Sequence, residues 1–254
     1  MGRLLLQLAR EREDVVIAGG IGRAGSAGSD RADADAADAT VVDIDHAPDL
    51  IANADVVIDV SAPAATRALL DGAADALAGR ALVIGTTGLD AATQQRIDEL
   101  ASRSAVLTAA NFSLGVNLML GLAERVAAVL DPSGYDIEIV EAHHRGKADA
   151  PSGTALALGA AAARGRNISL ETVRRDGRTS DTGARQDGEI GFHAVRGGGI
   201  AGEHRVLFAG VRELIELRHE ALGRAVFADG ALAAACWLAR RDAGRYTMQD
   251  VLGL

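Results

Sequence analysis

Four cationic or protonatable groups, His143, His144, Arg145 and Lys147, fall within five residues of the stretch 141-EAHHRGKADAPSGTALAL-158, in a chain of 254 residues whose formal net charge is −9. Adjacent histidines can bind metal. These two, however, follow the alternating segment YDIEIVEA, which reads as a strand, so their side chains point to opposite faces. No helical His pair at i, i+4 and no cysteine cluster accompanies them. The second half of the stretch offers other chemistry. Pro151 suits the first turn of a helix, and Ser152, Gly153 and Thr154 would present backbone N–H groups and hydroxyls there, an arrangement that favours a carboxylate or phosphate. His144 and Lys147 can face such an anion with donors and positive charge. A histidine and a lysine beside a bound dianion can also act as proton donors. A small anionic ligand, a metal ion and a plain solvated loop are the readings these residues leave open.

The acidic balance, 26 Lys and Arg against 35 Asp and Glu, argues with the 3% aromatic content against a nucleic-acid partner. One cationic patch on an acidic chain instead suits a small anion. No apolar run approaches the roughly 18 residues of a membrane span. The opening MGRLLLQLAREREDVVI holds too short an apolar cluster for a signal peptide, so a cytoplasmic location is expected. Cys236, the single cysteine, sits in the apolar pattern ALAAACWLA and is expected to be a buried, inert thiol.

The elements that must position the cationic stretch follow from periodicity. In the first half, 14-DVVIAGG-20, 55-DVVIDVSAP-63, 81-ALVIGTTG-88 and 105-AVLTAANFS-113 are short apolar runs, with helical stretches at 64–78 and 90–102 between the later ones. That pattern predicts α/β architecture, a Rossmann-like doubly wound parallel sheet whose ligands bind beyond the carboxyl ends of the strands. The second half predicts a helix over 114–130, a strand at YDIEIVEAHH, a helix at SGTALALGAAAA, and strands at EIGFHAV, EHRVLFAG and RELIELRHE, hence a second α+β domain with a mixed sheet. A last amphipathic helix is expected over 225–240, packing back on the first domain, and 30-DRADADAADAT-40 reads as a surface loop. A Rossmann-type unit opens with a strand and a Gly-rich turn, whereas Met1 to Leu5 reads as a helical turn. In the strand order 3-2-1-4-5-6 the first strand is central, so its absence would leave a gap with two unpaired edges. The expectation is that the natural start lies upstream, with a rearranged sheet as the alternative.

EAHHRGKADAPSGTA closely resembles the signature of the dihydrodipicolinate reductase family, enzymes of the diaminopimelate route to lysine. GTTGLD, AANFSLGVN, VRGGGIAGEHRVLFAG, LIELRHEALGRAVFADGALAAACWL and YTMQDVL resemble family segments in family order, so the likeness covers nearly the whole chain. It implies NAD(P)H-dependent reduction of 4-hydroxy-tetrahydrodipicolinate to tetrahydrodipicolinate. His143 would donate or accept a proton, Lys147 would be the proton donor, and His144, Gly153 and Thr154 would bind the carboxylates of the substrate. Gly85, Thr86, Thr87, Ala109, Ala110, Asn111 and Phe112 would line the nicotinamide side of the cofactor groove. Residues 1–113 and 224–254 would form the dinucleotide-binding domain, and 114–223 a domain for substrate binding and oligomerisation, with a hinge closing the two and a homotetramer as the assembly.

The turn 19-GGIGRAGS-26 lacks an acid but holds Arg23, which favours the 2′-phosphate of NADPH, with NADH as the alternative. No metal is expected. His193, His204 and His219 read as structural. Arg196 and Gly197 to Gly199 would shape the substrate pocket or a subunit contact, and Asp59 to Pro63 would build a cofactor-side turn. Two other classes compete: a truncated pseudoenzyme that keeps an anion pocket without binding dinucleotide, and a metal-dependent hydrolase using the His pair.

Overall fold

The computed structural model describes residues 1–22 and 41–254. Arg23 and the loop read at 30–40 lie outside the described residues. The first part of the chain forms α1 (Gly2–Arg10), β1 (Gly20–Gly22), β2 (Val41–Asp43), α2 (Ala47–Ile51), β3 (Val56–Asp59), α3 (Pro63–Gly72), α4 (Ala74–Leu77), β4 (Ala81–Ile84), α5 (Ala91–Ala101) and β5 (Ala105–Thr108). Then come α6 (Leu114–Val129), β6 (Tyr135–His143), α7 (Gly153–Gly165), α8 (Leu170–Val173), β7 (Arg174–Asp176), β8 (Ile190–Arg196), β9 (Glu203–Gly210) and β10 (Leu214–Glu220). The chain ends with α9 (Ala225–Leu238), β11 (Gly244–Tyr246) and α10 (Met248–Leu252). Two units emerge: Met1–Ser113 with Ala225–Gly253, and Leu114–Arg224.

The first unit holds a four-stranded parallel sheet in the order β11-β5-β4-β3. β4, in the middle of that sheet, is apolar and buried at every position for a physical reason. Ala81 and Val83 of β4 face a core that includes Ala228, Ala231 and Leu238 of α9, while Leu82 and Ile84 face Leu69, Leu70, Ile97 and Leu100 of α3 and α5. Burying one such Leu or Ile is worth about 1.5–3 kcal/mol, so both faces must stay covered. α5 starts where Asp90 accepts the Thr93 N–H at 2.7 Å, a cap worth about 1 kcal/mol.

The run 14-DVVIAGG-20 departs from the expected strand. Only Gly20 pairs, at the start of β1, which runs parallel to β2 in a separate two-stranded sheet. Val15 and Ile17 pack on the core and Val16 is 93% exposed, so the alternation of an extended chain persists without a ladder. β3 ends its sheet, and among the described residues the parallel strands stand in two separate sheets. Cys236 is half-buried rather than buried, and partial burial pushes its thiol up, keeping it protonated.

The second unit is a mixed sheet, β10-β9-β6-β8-β7, in which β6 pairs β8 in parallel and β9 antiparallel. One face is apolar: Ile137 and Ile139 of β6, Phe192 of β8, and Val206 and Phe208 of β9 pack with Met119 and Ala123 of α6 and Leu158 of α7. The other carries charge, with Glu138 bonded to His193 at 2.7 Å and Glu203 paired to Arg218 at 3.0 Å. Alternation along β6 continues past Ile139 to Glu141 and His143, so an acid and then a histidine occupy the inward register where the apolar core gives out.

Candidate active site

Glu141 is 1% exposed, and its carboxylate is held by polar partners. Its register partner on β9 is His204, and Arg196 of β8 stands beside His143. From there Arg196 reaches back to bind the Glu141 carboxylate with both terminal nitrogens, each at 2.7 Å. The Ser152 N–H donates to Glu141 Oε1 at 3.0 Å, and His143 Nδ1 lies 2.6 Å from Glu141 Oε2. Burial opposes ionisation of Glu141, but the hydrogen bonds from Arg196, His143 and Ser152 outweigh it and hold the carboxyl below its usual range.

α7 begins at the same corner. Its cap is Ser152, whose hydroxyl accepts the Ala155 N–H at 3.2 Å, so Gly153 and Thr154 open the helix. Pro151 therefore precedes the cap instead of occupying the first turn, because the cap's side-chain oxygen fixes where the helix starts. Gly153 is exposed, at the end of the helix where N–H groups and the helix dipole favour an anion. Between strand and helix the chain turns at 144–147, closed by the Lys147 N–H donating to the His144 carbonyl at 3.1 Å. His143 points inward and His144 is exposed, the opposite directions that alternation implies. Lys147 Nζ pairs with Asp149 Oδ1 at 2.9 Å, which holds the Asp149 carboxyl below its usual range. The glycine run closes over this turn: the Gly197 N–H donates to the His143 carbonyl at 2.9 Å, and the Gly198 carbonyl accepts the Arg145 N–H at 3.2 Å.

Three of these residues escaped the sequence reading as site residues: Glu141, Ser152 as a bonding partner, and His204. His204 Nε2 lies 3.0 Å from Ser152 Oγ, and its ring meets that of His143 edge-on with centroids 5.1 Å apart. Burial, with His143 as the next cause, lowers His204 to about 4. The folded state thus disfavours the charged ring, and the stability this gives is present above the unfolded value near 6.5 and lost as pH falls toward 4. Between pH 7 and pH 5 the expected loss from His204 is about 2 kcal/mol. Urea denaturation at the two pH values checks it, and a His204→Gln variant with the same pH slope as the wild type contradicts it.

In the first unit the remaining expected residues gather at the carboxyl ends of β4 and β5. Gly85, Thr86 and Thr87 follow β4, and Ala109 to Phe112 follow β5, joined to β4 by the Ala109 N–H donating to the Ile84 carbonyl at 3.0 Å. Thr87 and Ala110 are exposed, and Asn111 Oδ1 accepts the Ser113 N–H at 2.9 Å. Phe112 is 5% exposed and its ring fills the space beside Gly85, where an added Cβ would lie 2.5 Å from Phe112 Cε2. Thr86 Oγ1 is buried with no hydrogen-bond partner among the described residues. Asp59 spends its carboxylate on Ser61 and on the Thr66 hydroxyl, tying the end of β3 to α3, so DVSAP is a structural turn.

Two family models, described as the N-terminus and the C-terminus of dihydrodipicolinate reductase, match residues 1–112 and 115–252. The chain belongs to the dihydrodipicolinate reductase family. Within it, the protein of Caulobacter vibrioides named 4-hydroxy-tetrahydrodipicolinate reductase is 47% identical over 253 residues, covering 100% of this chain and 93% of its own length. The protein of that name from Ruegeria sp. (strain TM1040) is 49% identical over 257 residues, covering 100% and 94%. Among solved structures, the dipicolinate-bound dihydrodipicolinate reductase of Paenisporosarcina sp. TG-14 matches with a TM-score of 0.73 at 25% identity, over 98% of this chain and 94% of that one. A dihydrodipicolinate reductase is an oxidoreductase, and none of these relatives favours a pseudoenzyme. Among the described residues no group of three or more His, Cys, Asp or Glu could hold a metal ion, and no helix is long and apolar enough to cross a membrane.

Proposed function

We propose that this chain reduces 4-hydroxy-tetrahydrodipicolinate to tetrahydrodipicolinate in diaminopimelate and lysine biosynthesis, with the substrate's carboxylates held where β6 meets α7. The observation that carries the reading is that corner itself. An ionised, buried Glu141 anchors His143 beside a helix N-terminus that opens with Gly153 and Thr154, with Lys147 on the connecting turn. The related reductase of Paenisporosarcina is described with dipicolinate, a planar dicarboxylate of the kind such a corner suits.

Overall, the substrate loses its 4-hydroxyl as water, and the resulting double bond takes up a hydride and a proton. Reduced nicotinamide supplies the hydride. His144, Gly153 and Thr154 bind and orient the carboxylates, Lys147 Nζ gives a proton to the carbon that gains charge, and His143 exchanges a proton at its ring. The fit of a dinucleotide is supported in the first unit by the Thr86 hydroxyl, which has no partner among the described residues and lies among small residues at the strand ends where such ligands bind. Gly85, Thr86, Thr87 and Ala109 to Phe112 would hold the nicotinamide end, and Arg23 would take the 2′-phosphate of NADPH.

Substrate-dependent oxidation of NADPH, with dihydrodipicolinate synthase supplying substrate, tests the reaction, and a lower KM for NADPH than for NADH is expected. A lower KM for NADH contradicts the role given to Arg23. Self-association through the charged sheet face, where Val195 and Leu214 are exposed, is proposed to give a cytoplasmic homotetramer. Light scattering that returns a monomer mass contradicts it.

A further inference from the structure

We infer that Glu141 is the positioning residue for His143: it accepts the imidazole Nδ1–H, so that Nε2 is the nitrogen that exchanges protons with substrate. The inference rests on the reading of His143 as a proton carrier and deepens it by naming the atom and the group that selects it.

Three observations converge. First, the Glu141 carboxylate is clamped in its ionised form by the two Arg196 nitrogens at 2.7 Å and by the Ser152 N–H at 3.0 Å. An ionised carboxylate only accepts, so across the 2.6 Å contact the donor must be His143 Nδ1. Second, the other nitrogen is kept approachable by a glycine. Gly202 has φ +151°, and a Cβ built there would come within 3.2 Å of His143 Nε2. A side chain at 202 would crowd the nitrogen that the Glu141 contact leaves unprotonated in the neutral ring. Third, Glu141 lies on the inward register of β6, after Ile137 and Ile139 in a core-facing row, where an unpaired charge would be costly. An acid at that position is explained by the histidine two residues on, and not by packing.

Neutral His143 then offers a bare Nε2 as acceptor, and protonated His143 offers Nε2–H as donor, without ring reorientation between the two. The groups that face His143 are Glu141 on its own strand, Arg196 on β8 and His204 on β9, while Lys147 and Asp149 lie on the loop that follows. Removing the Glu141 charge is therefore expected to change the tautomer.

The test has two parts. In the wild-type protein, imidazole nitrogen chemical shifts of His143 at neutral pH are expected to show the Nδ1–H tautomer, and an Nε2–H tautomer overturns the inference whatever any variant does. In Glu141→Gln, kcat is expected to fall by about 10²-fold with substrate KM changed less than about threefold, and the Nδ1–H preference of His143 to be lost, since the amide presents a donor as well as an acceptor. An unchanged kcat and tautomer in a folded Glu141→Gln protein also overturns it. His143→Ala separates the two levels of argument. Retained kcat there removes the proton-carrier reading itself, whereas lost kcat together with a normal Glu141→Gln enzyme removes only the positioning role.

Discussion

Lys147→Ala lowers kcat by about 10²-fold or more, the loss expected when a positioned acid is removed. The side chain is about a quarter exposed on a turn closed by its own N–H bonding the His144 carbonyl, so truncation leaves backbone geometry and folding intact. In the free protein Nζ rests on Asp149 Oδ1 at 2.9 Å, and that pair does not compete with the proposed role. An ion pair this accessible is worth about 0–1 kcal/mol, so leaving Asp149 for a substrate carboxylate or a reacting carbon costs little. Steady-state kinetics at saturating substrate, with circular dichroism to confirm folding, check the outcome. An unchanged kcat removes Lys147 from proton transfer.

Gly230→Ala is the substitution expected to damage the fold most. Gly230 lies in α9, and a Cβ there would stand 1.8 Å from the Phe112 carbonyl oxygen and 2.7 Å from its carbonyl carbon. Backbone cannot step aside as the tip of a flexible side chain can, so the helix or the loop after β5 has to move. Overpacking typically costs about 1–3 kcal/mol, and a backbone clash belongs at or above the top of that range. Because Phe112 also fills the space beside Gly85, the displacement would carry into the loops assigned to the nicotinamide. Thermal denaturation should show a fall in Tm of about 10 °C. Gly72→Ala, at a position with nothing within 4 Å of the added atom, should leave Tm unchanged or slightly raised. Equal stability of Gly230→Ala and the wild type contradicts the close approach.

What the sequence made legible tracks how local the physics is. β3, β4 and β5 could be read because strands buried on both faces have no polar alternation, and α5 because its apolar positions recur at helical spacing. The run 14–20 misled because composition identifies an extended segment, while a strand also needs a neighbour with which to pair. Glu141 left a visible trace as an acid on the inward register after two isoleucines, yet its significance depends on Arg196, which arrives from β8 more than fifty residues later. His204 was read as structural for the same reason. Its place against His143 comes from the antiparallel register of β6 with β9, a non-local choice that no short motif encodes. The His-His pair, by contrast, was read correctly as pointing in opposite directions, since that follows from strand geometry alone.

The central claim is that the corner between β6 and α7 receives a dicarboxylate. Titrating the protein with dipicolinate while following side-chain resonances of His143, His144 and Lys147 tests it most directly. The account predicts that all three shift together along one saturation curve. Binding, seen by calorimetry, that leaves these resonances unmoved would contradict it.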